Sequence, residues 1–259
     1  MSTYLDRIVA AHRQSAAADT RPLERLVDEA RATVADVRPF RDALVGEGLS
    51  VVAEVKRRSP SKGDLAPGLV PSVLAKSYAD GGAACLSVLT DAEFFGGSPA
   101  DLAEARAAVD LPVLRKDFTV SERDVCDARL MGADAVLLIV AALDDAELRA
   151  FSELAAELRL SALVEAHDEA EVERALAVGA SIVGVNQRDL VTFQVDTDRA
   201  VRVAASIPDS VAKVAESGIA DGADAGRLLD AGYDAVLVGE TLVRSDDPAA
   251  AVRRLRSCS

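Results

Sequence analysis

The feature that most constrains this sequence is a repeated junction in which a glycine is followed within a few residues by an apolar run. It occurs as GGAACLSVL at Gly81, MGADAVLLIV at Met131, VGASIVGVN at Val178 and AGYDAVLVG at Ala231. A glycine supplies the left-handed residue that ends a helix, and a near-continuous apolar run is typical of a parallel strand covered by helices. The chain therefore alternates helices with parallel strands.

Eight apolar runs fit this alternation, and the helix-like segments between them often begin with a Ser or Asp N-cap. The runs are VVAEVK, ACLSVLT, PVLRKD, DAVLLIV, SALVEA, SIVGVN, VAKVAE and DAVLVG. Eight such units predict an α/β chain folded as a single (β/α)8 TIM barrel with extra N-terminal helices. A doubly wound open sheet is the alternative, but no G-x-G-x-x-G turn follows the first strand.

Two helix-like segments, YLDRIVAAHRQSAA and PLERLVDEARATVADV, precede the first strand. We expect residues 1–47 to form a helical extension packed on the barrel, where it covers the bottom or one rim. Residues 48–259 then form the catalytic barrel. A monomer is expected, and a weak homodimer in which these helices make the subunit contact is the alternative.

Composition excludes several classes of protein. The 259 residues are 50% hydrophobic, which suits one large core, but no apolar run is long enough to span a membrane. The N-terminus lacks the features of a signal peptide, so a cytoplasmic protein is expected. A formal charge of −14 opposes nucleic-acid binding, and three scattered cysteines with two distant histidines predict reduced thiols and no metal site.

Polar residues occupy the carboxyl ends of five predicted strands. Because side chains alternate along a strand, Glu54 and Lys56 share a face with Val52. Lys116 shares a face with Leu114 by the same spacing. Carboxyl ends of barrel strands form the mouth that holds barrel active sites. The residues that this face brings to the mouth are Glu54, Lys56, Lys116, Glu165, Asn186 and Glu216.

This polar set has two interpretations. It could consist of ion pairs that close the mouth, since buried Lys and Glu are normally paired. We favour acid–base chemistry, because each desolvated charge costs several kcal/mol that an apolar residue would not. We expect the two ammonium groups to lower each other's pKa, so that a lysine acts as a general acid near neutral pH, and crowding to raise the pKa of the carboxyl groups.

The loops after the last two strands indicate a phosphate site. AESGIADG and LVGETLV place Ser217, Gly218, Gly239 and Glu240 before helices, where free N–H groups attract phosphate. Serine caps and tight turns would explain each loop alone, but the pairing of the loops favours phosphate. Four of the six phenylalanines follow strands near the mouth and either anchor loops or form a slot for a flat ligand; they are Phe94, Phe95, Phe118 and Phe193.

Several motifs together are specific to one family: AEVKRRSPSKG, LTDAEFFGGS, LPVLRKDF, LVEAHDEAE, GVNQRDLVTF, AESGI and AVLVGETL. In this order, from about Val51 to Arg254, they resemble indole-3-glycerol-phosphate synthase. The resemblance implies conversion of 1-(2-carboxyphenylamino)-1-deoxyribulose 5-phosphate into indole-3-glycerol phosphate, carbon dioxide and water. This is a lyase step of tryptophan biosynthesis on a small phosphorylated substrate, without cofactor or metal.

The resemblance also implies roles for individual residues. Lys116 is the general acid that protonates the ketone, Lys56 pairs with the substrate carboxylate and can deliver a later proton, and Glu165 is the base of the dehydration. Glu54, Asn186 and Glu216 hold the anilino nitrogen, a ribulose hydroxyl and the lysines. The matching binding motifs contribute Ser59, Phe95, Phe118, Arg188, Leu190, Ser217, Gly218, Gly239 and Glu240.

Two departures from the family pattern, Ala166 and Gln187, concern loop packing, and His167 is expected in an exposed loop. Another phosphate-binding isomerase or lyase, or a barrel without catalytic activity, is the alternative function. The presence of Lys56, Lys116 and Glu165 together argues against both.

Overall fold

The computed structural model describes residues 3–34, 36–60, 62–189, 191 and 194–258. Within these residues, eight parallel strands close into a barrel in chain order, with the last strand hydrogen-bonded to the first. The barrel strands are β1 (Ser50–Val55), β2 (Cys85–Leu89), β3 (Val113–Lys116), β4 (Ala135–Ile139), β5 (Ser161–Ala166), β6 (Ile182–Asn186), β7 (Ala212–Glu216) and β8 (Ala235–Val238). The predicted (β/α)8 barrel is confirmed.

Alternation along each strand separates two apolar layers. The inward-facing residues, such as Val52, Leu114, Leu163 and Val214, fill the barrel interior. Their outward-facing neighbours pack against the surrounding helices. The strand face that carries the predicted polar set therefore points into the barrel.

The helices that follow the strands form the outer layer. They are α4 (Pro71–Asp80), α5 (Pro99–Ala108), α6 (Glu122–Leu130), α7 (Asp145–Glu157), α8 (Glu169–Ala177), α9 (Arg199–Val203), α10 (Gly222–Asp230), α11 (Glu240–Val243) and α12 (Pro248–Arg256). Side-chain N-caps start several of them, including Ser98, Ser121 and Asp144. No helix among the described residues is long and apolar enough to cross a membrane.

Glycines at four helix-to-strand junctions have positive φ angles, as the repeated pattern predicts. The φ values are 86° at Gly82, 85° at Gly132, 76° at Gly179 and 87° at Gly232. A residue with a Cβ would be strained in this conformation, so the glycine lets the helix end and the chain turn directly into the next strand. The repeated sequence pattern thus corresponds to a repeated backbone conformation at the end of the helix.

In the described part of the chain before β1 there are three helices, where the sequence predicts two: α1 (Tyr4–Ala18), α2 (Leu23–Arg31) and α3 (Phe40–Leu44). The second helix ends earlier than predicted, because β-branched Thr33 and Val34 follow it and Pro39 disfavours helix in the residue before it. α1 lies across the barrel mouth, with Tyr4, Leu5 and Ile8 lining the cavity there. α3 covers the bottom, where the Phe40 carbonyl faces the Sγ of Cys85 at the start of β2.

Replacing Phe40 with alanine is expected to lower the free energy of unfolding by about 3–5 kcal/mol, because a fully buried ring is removed from the bottom of the barrel. Urea denaturation measures the loss. Val34→Ala is the control, since Val34 is 94% exposed and its truncation should change stability by less than about 0.5 kcal/mol. Equal losses in the two variants would contradict this account of α3.

Candidate active site

A cavity of about 760 Å³ opens at the carboxyl ends of the strands. Its floor is formed by inward-facing Leu137, Ile139 and Leu237, and its sides by the loops that follow the strands. All six predicted catalytic residues line it: Glu54, Lys56, Lys116, Glu165, Asn186 and Glu216. Barrel enzymes bind their substrates at this end, so this cavity is the candidate active site.

Glu54 and Lys56 form an ion pair at the end of β1. Glu54 is buried, and the Tyr78 hydroxyl donates a hydrogen bond of 3.1 Å to its backbone carbonyl. Gly239, after β8, lies so close to both side chains that a Cβ there would collide with the Glu54 carboxylate. The glycine therefore allows the loop after β8 to approach the ion pair of Glu54 and Lys56.

Lys116, at the end of β3, lies between two carboxylates that come from β5 and β7. Its Nζ is 3.3 Å from Glu165 Oε2 and 3.6 Å from Glu216 Oε2. Asn186 donates from Nδ2 to Glu165 Oε1 at 3.1 Å, so both oxygens of Glu165 are held. Glu216 Oε1 is buried and has no hydrogen-bond partner among the described residues. A cation, a held carboxylate and an oxygen free to accept a hydrogen bond thus meet in one place.

The charges at this cluster correct one expectation. Burial lowers the pKa of Lys116, but the negative charges of Glu165, Glu216 and Glu54 outweigh burial and raise it above its ordinary value. The predicted mutual lowering by two ammonium groups is therefore wrong for Lys116, because Lys56 is paired with Glu54 and three carboxylates face Lys116.

The two carboxyl groups beside Lys116 shift in opposite directions. Burial, together with repulsion by Glu165 and Glu54, raises the pKa of Glu216 to about 8. Burial also acts to raise the pKa of Glu165, but the charges of Lys116 and His167 and the Asn186 hydrogen bond lower it overall. The predicted rise from crowding thus holds for Glu216 and not for Glu165. Groups whose pKa values are pushed apart in this way can divide the roles of acid and base.

Gly184 on β6 lies against the Glu216 carboxylate, where a Cβ would meet Oε1. We expect Gly184→Ala to displace that side chain, and with it Lys116, and to reduce kcat/KM about 10²-fold, as small misplacements of catalytic groups do. Steady-state kinetics and the melting temperature are measured together. Gly226→Ala on α10 is the control, since its Cβ would make only an ordinary contact of 3.7 Å. Wild-type kinetics in Gly184→Ala would show that the position of Glu216 is unimportant.

The loops after β7 and β8 are tied together beside the cavity. Thr241 donates its hydroxyl to the Ile219 carbonyl at 2.8 Å, and Gln187 donates from Nε2 to the Ser217 carbonyl at 2.8 Å. Ser217 has a φ of 68° and Gly218 a φ of 74°. A non-glycine residue in this conformation is strained and needs such support, and strain of this kind clusters at functional sites. Gln187, which follows β6, therefore contacts the loop after β7 that is predicted to bind phosphate.

An apolar wall lines part of the same cavity. Phe95 and Phe118 are tilted against each other with ring centroids 6.4 Å apart, and both line the cavity with Tyr4 and Leu5 of α1. Phe94 packs edge-on against Tyr4 instead. Phe95 and Phe118 thus lie at the cavity, as a slot for a flat ligand would require, whereas the contact of Phe94 with Tyr4 is that of a loop anchor.

His12 connects α1 to the segments that follow β2 and β3. Its Nε2 is 3.0 Å from Asp91 Oδ2 and 3.8 Å from Asp117 Oδ1. Among the described residues these three form the group with metal-like spacing, their ligand atoms lying within 4.8 Å of one another. The backbone N–H groups of Phe94 and Phe95 already donate to Asp91. We therefore interpret the group as an ion-paired contact between α1 and the barrel, which the sequence spacing did not reveal.

The structure places the predicted binding residues around the same cavity. Those that line it are Ser59, Phe95, Phe118, Arg188, Ser217, Gly218, Gly239 and Glu240. Leu190 and Phe193 lie outside the described residues. The predicted residues are thus brought together, whereas the role of each remains a prediction.

The exposed position predicted for His167 is wrong. Its side chain is only 14% exposed, because Glu171 of α8 and Glu165 of β5 enclose the ring. Nδ1 lies 2.9 Å from Glu171 Oε2, and Nε2 lies 3.7 Å from Glu165 Oε1. The feature of the sequence that could have indicated this burial is the spacing of four residues between His167 and Glu171 at the start of a helix.

Comparisons with known proteins agree on one family. A family model described as indole-3-glycerol phosphate synthase matches residues 5–255. A protein of that name from a Nocardioides species is 55% identical over 256 residues, which is 98% of each chain. One from Micrococcus luteus is 51% identical over 251 residues, covering 93% of this chain and 94% of the relative.

Solved structures give a more distant likeness. Thiamine phosphate pyrophosphorylase from Pyrococcus furiosus superposes with a TM-score of 0.62 at 18% identity, covering 84% of this chain and 96% of that chain. At this identity the likeness concerns the barrel fold.

Proposed function

The chain belongs to the indole-3-glycerol phosphate synthase family, and we propose that Lys116 is the general acid that starts its reaction. Its activity is that of a carboxy-lyase of tryptophan biosynthesis, which forms indole-3-glycerol phosphate. The observation that supports the role of Lys116 is its position at the mouth, 3.3 Å from Glu165 and 3.6 Å from Glu216. The substrate in this proposal is 1-(2-carboxyphenylamino)-1-deoxyribulose 5-phosphate.

Ring closure joins the carboxylate-bearing aryl carbon to the ketone carbon. The attack breaks aromaticity, so a proton delivered to the ketone oxygen in the transition state lowers the barrier. The raised pKa keeps Lys116 protonated at neutral pH, ready to donate. The oxygen that forms is a developing alkoxide, a stronger base than an amine, so a lysine with a raised pKa still transfers its proton.

Decarboxylation and dehydration follow ring closure. Loss of carbon dioxide breaks the bond to the carboxylate and returns its electron pair to the ring. Lys56 pairs with that carboxylate before closure and then protonates the leaving hydroxyl. Glu165 removes a proton as water departs, a role that suits a carboxylate whose pKa is lowered and which is therefore ionised at neutral pH.

The other residues hold the substrate. Glu54, Asn186 and Glu216 orient the lysines, the anilino nitrogen and a ribulose hydroxyl, and Glu216 Oε1, which has no partner among the described residues, is available to hydrogen-bond such a hydroxyl. The phosphate binds at the paired loops and the aryl ring against the phenylalanine wall. The binding residues in this proposal are Ser59, Phe95, Phe118, Arg188, Leu190, Ser217, Gly218, Gly239 and Glu240.

Organisation of the chain is a further part of the proposal. Residues 1–47 are a helical extension on a catalytic barrel of residues 48–259, and the protein acts as a cytoplasmic monomer. The insertion of Tyr4, Leu5 and Ile8 into the cavity supports a role for the extension within its own chain.

The experiment uses purified protein, the phosphorylated substrate and its dephosphorylated counterpart. Indole fluorescence and carbon dioxide are recorded separately, and we expect equal amounts of both products from the phosphorylated substrate. Without the phosphate, KM should rise at least about 10²-fold, as lost charge-assisted contacts of roughly 3 kcal/mol in total predict. Equal KM values for the two compounds would overturn the phosphate site, and carbon dioxide without indole would overturn the dehydration roles.

A further inference from the structure

His167 follows β5, two residues after Glu165, and α8 fixes its ring. Glu171 accepts two hydrogen bonds at Oε2, one of 2.8 Å from the His167 backbone N–H and one of 2.9 Å from the ring Nδ1. Because Nδ1–H donates to a carboxylate, the neutral ring presents a lone pair at Nε2. The orientation of the ring is therefore set by a residue outside the cavity wall.

The Nε2 atom faces the proposed base. It is buried, has no hydrogen-bond partner among the described residues, and lies 3.7 Å from Glu165 Oε1. Oε1 also accepts from Asn186, whereas Oε2 faces Lys116. A shift of less than about 1 Å would bring Nε2 and Oε1 within hydrogen-bond distance. A buried nitrogen left unpaired costs stability and calls for an explanation, and a role in the chemistry is one.

The charged groups that face the ring come from three elements. They are Glu165 of β5, Glu171 of α8 and Arg199 of α9. Burial lowers the pKa of His167 and so does Arg199, but the hydrogen bond to Glu171 and the charges of Glu165 and Glu171 raise it overall. The ring can therefore hold a proton between two carboxylates.

We propose that His167 is a positioning residue that orients Glu165 and carries its proton away to Glu171 and solvent. The proposal rests on the role of Glu165 as base of the dehydration. A base that accepts a proton in each turnover must lose it again, and Glu165 itself is only 1% exposed. Its proton must therefore leave through a neighbouring side chain, and His167 is the neighbour that connects Glu165 to the partly exposed Glu171.

The proton moves in steps that conserve charge. Glu165 takes a proton from the substrate as the hydroxyl leaves with a proton from Lys56, so one water departs. Nε2 of neutral His167 accepts the proton from Glu165, which restores the carboxylate and gives an imidazolium. Nδ1–H then passes a proton to Glu171, whose side chain is 20% exposed and releases it to water. The starting tautomer returns when Nε2–H is given up and Nδ1 takes a proton from water through Glu171, and Lys56 and Lys116 regain from solvent the protons that they donated.

The test compares His167→Asn with Glu171→Gln and Glu173→Gln. Asparagine keeps a donor near the position of Nδ1 but has no atom that can carry a proton from Glu165. We expect kcat to fall about 10²-fold in His167→Asn, the lower end of what a positioned proton carrier contributes, with KM changed less than about 3-fold. Glu171→Gln should show a smaller fall. Glu173 is exposed on the same helix and is the matched control for the lost charge.

The pH profile separates this role from a structural one. At the low pH where Glu165 titrates, the His167 ring is protonated and its charge lowers the pKa of Glu165. Removing the ring should therefore raise that pKa and move the acid limb of kcat/KM to higher pH. In His167→Ala, added imidazole should restore part of kcat by filling the vacated space. A merely structural role would lower the melting temperature but would neither shift the acid limb of kcat/KM nor allow rescue by imidazole. An unshifted acid limb, or a lack of rescue, would overturn the proposal.

The Glu165→Gln variant distinguishes a failure of the proposed base, Glu165, from a failure of the proposed relay through His167. If Glu165→Gln forms indole at the wild-type rate, the base has been wrongly assigned and the relay fails with it. If Glu165→Gln is inactive while His167→Asn keeps the wild-type kcat and pH profile, the base stands and the relay alone is overturned. Imidazole should leave Glu165→Gln inactive, since no base remains for it to serve.

Discussion

Lys116→Met forms neither carbon dioxide nor indole at a measurable rate: we expect kcat to fall about 10⁴-fold, the upper end of the range for general acid catalysis. Ring closure comes before decarboxylation, so an enzyme that cannot protonate the ketone should be blocked before either product appears. Methionine retains the length and apolar stem of lysine but carries no proton. Radiolabelled carboxylate release and indole fluorescence measure the two products independently.

The same substitution should alter stability in a pH-dependent way. Removing the ammonium leaves the buried carboxyl groups of Glu165 and Glu216 without their shared cation, and breaking a buried ion pair typically costs about 3–5 kcal/mol. The pKa of Glu216 is already raised, so in the variant this carboxyl group can take up a proton as the pH falls and lose its unpaired charge. The loss of stability in Lys116→Met should therefore be smaller at pH 6 than at pH 9.

Lys76→Met is the control for both measurements, because Lys76 is exposed on α4. It should retain wild-type kinetics and stability. Carbon dioxide release by Lys116→Met without indole formation would move the role of Lys116 from ring closure to dehydration. Wild-type rates of both products would exclude it as the acid.

Glu165→Gln should separate the two products. We expect indole formation to fall about 10³-fold, within the range for loss of a general base, while the first turnover still releases carbon dioxide. The amide preserves the size of the side chain and can still contact Asn186, but it cannot accept the proton that dehydration removes. Rapid-quench measurement under single-turnover conditions should find about one equivalent of carbon dioxide per active site, with the ring-closed intermediate accumulating.

Glu153→Gln is the matched control, since Glu153 is exposed on α7. Loss of carbon dioxide release as well as indole in Glu165→Gln would place Glu165 in ring closure, where its contact of 3.3 Å with Lys116 would be the cause. An unchanged rate of indole formation would leave the dehydration without its proposed base.

Side-chain alternation allowed much of the candidate site to be predicted. Once β1 and β3 are identified, alternation places Glu54 and Lys56 on one face and Lys116 with Leu114, and a single choice of inward face brings all six polar groups to the mouth. The closed barrel then shows that this face points inward. Glycine-ended helices and capped starts likewise determine the eight repeats. These are local properties, and the sequence displays them directly.

What could not be predicted depends on distances between different strands and helices. The raised pKa of Lys116 results from three carboxylates supplied by β1, β5 and β7, and only the closed barrel shows that their combined charge exceeds the effect of burial. His167 looked exposed because its burial depends on Glu171 of α8 bending back over the loop. The end of α2 also depended on a competition between helix propensity and the nearby Pro39, which the apolar pattern does not reveal.

The position of α1 has a consequence for the order in which a ribosome makes this protein. α1 is synthesised before every barrel strand, yet its contacts lie far along the chain: His12 meets Asp91, and Arg13 pairs with Glu147 at 2.7 Å, 134 residues later. The apolar partners of Tyr4 and Ile8 therefore do not yet exist while most of the barrel is still being translated. Because β1 also closes on β8, a nascent chain that stops before Ala235 can have neither a closed barrel nor a complete catalytic mouth.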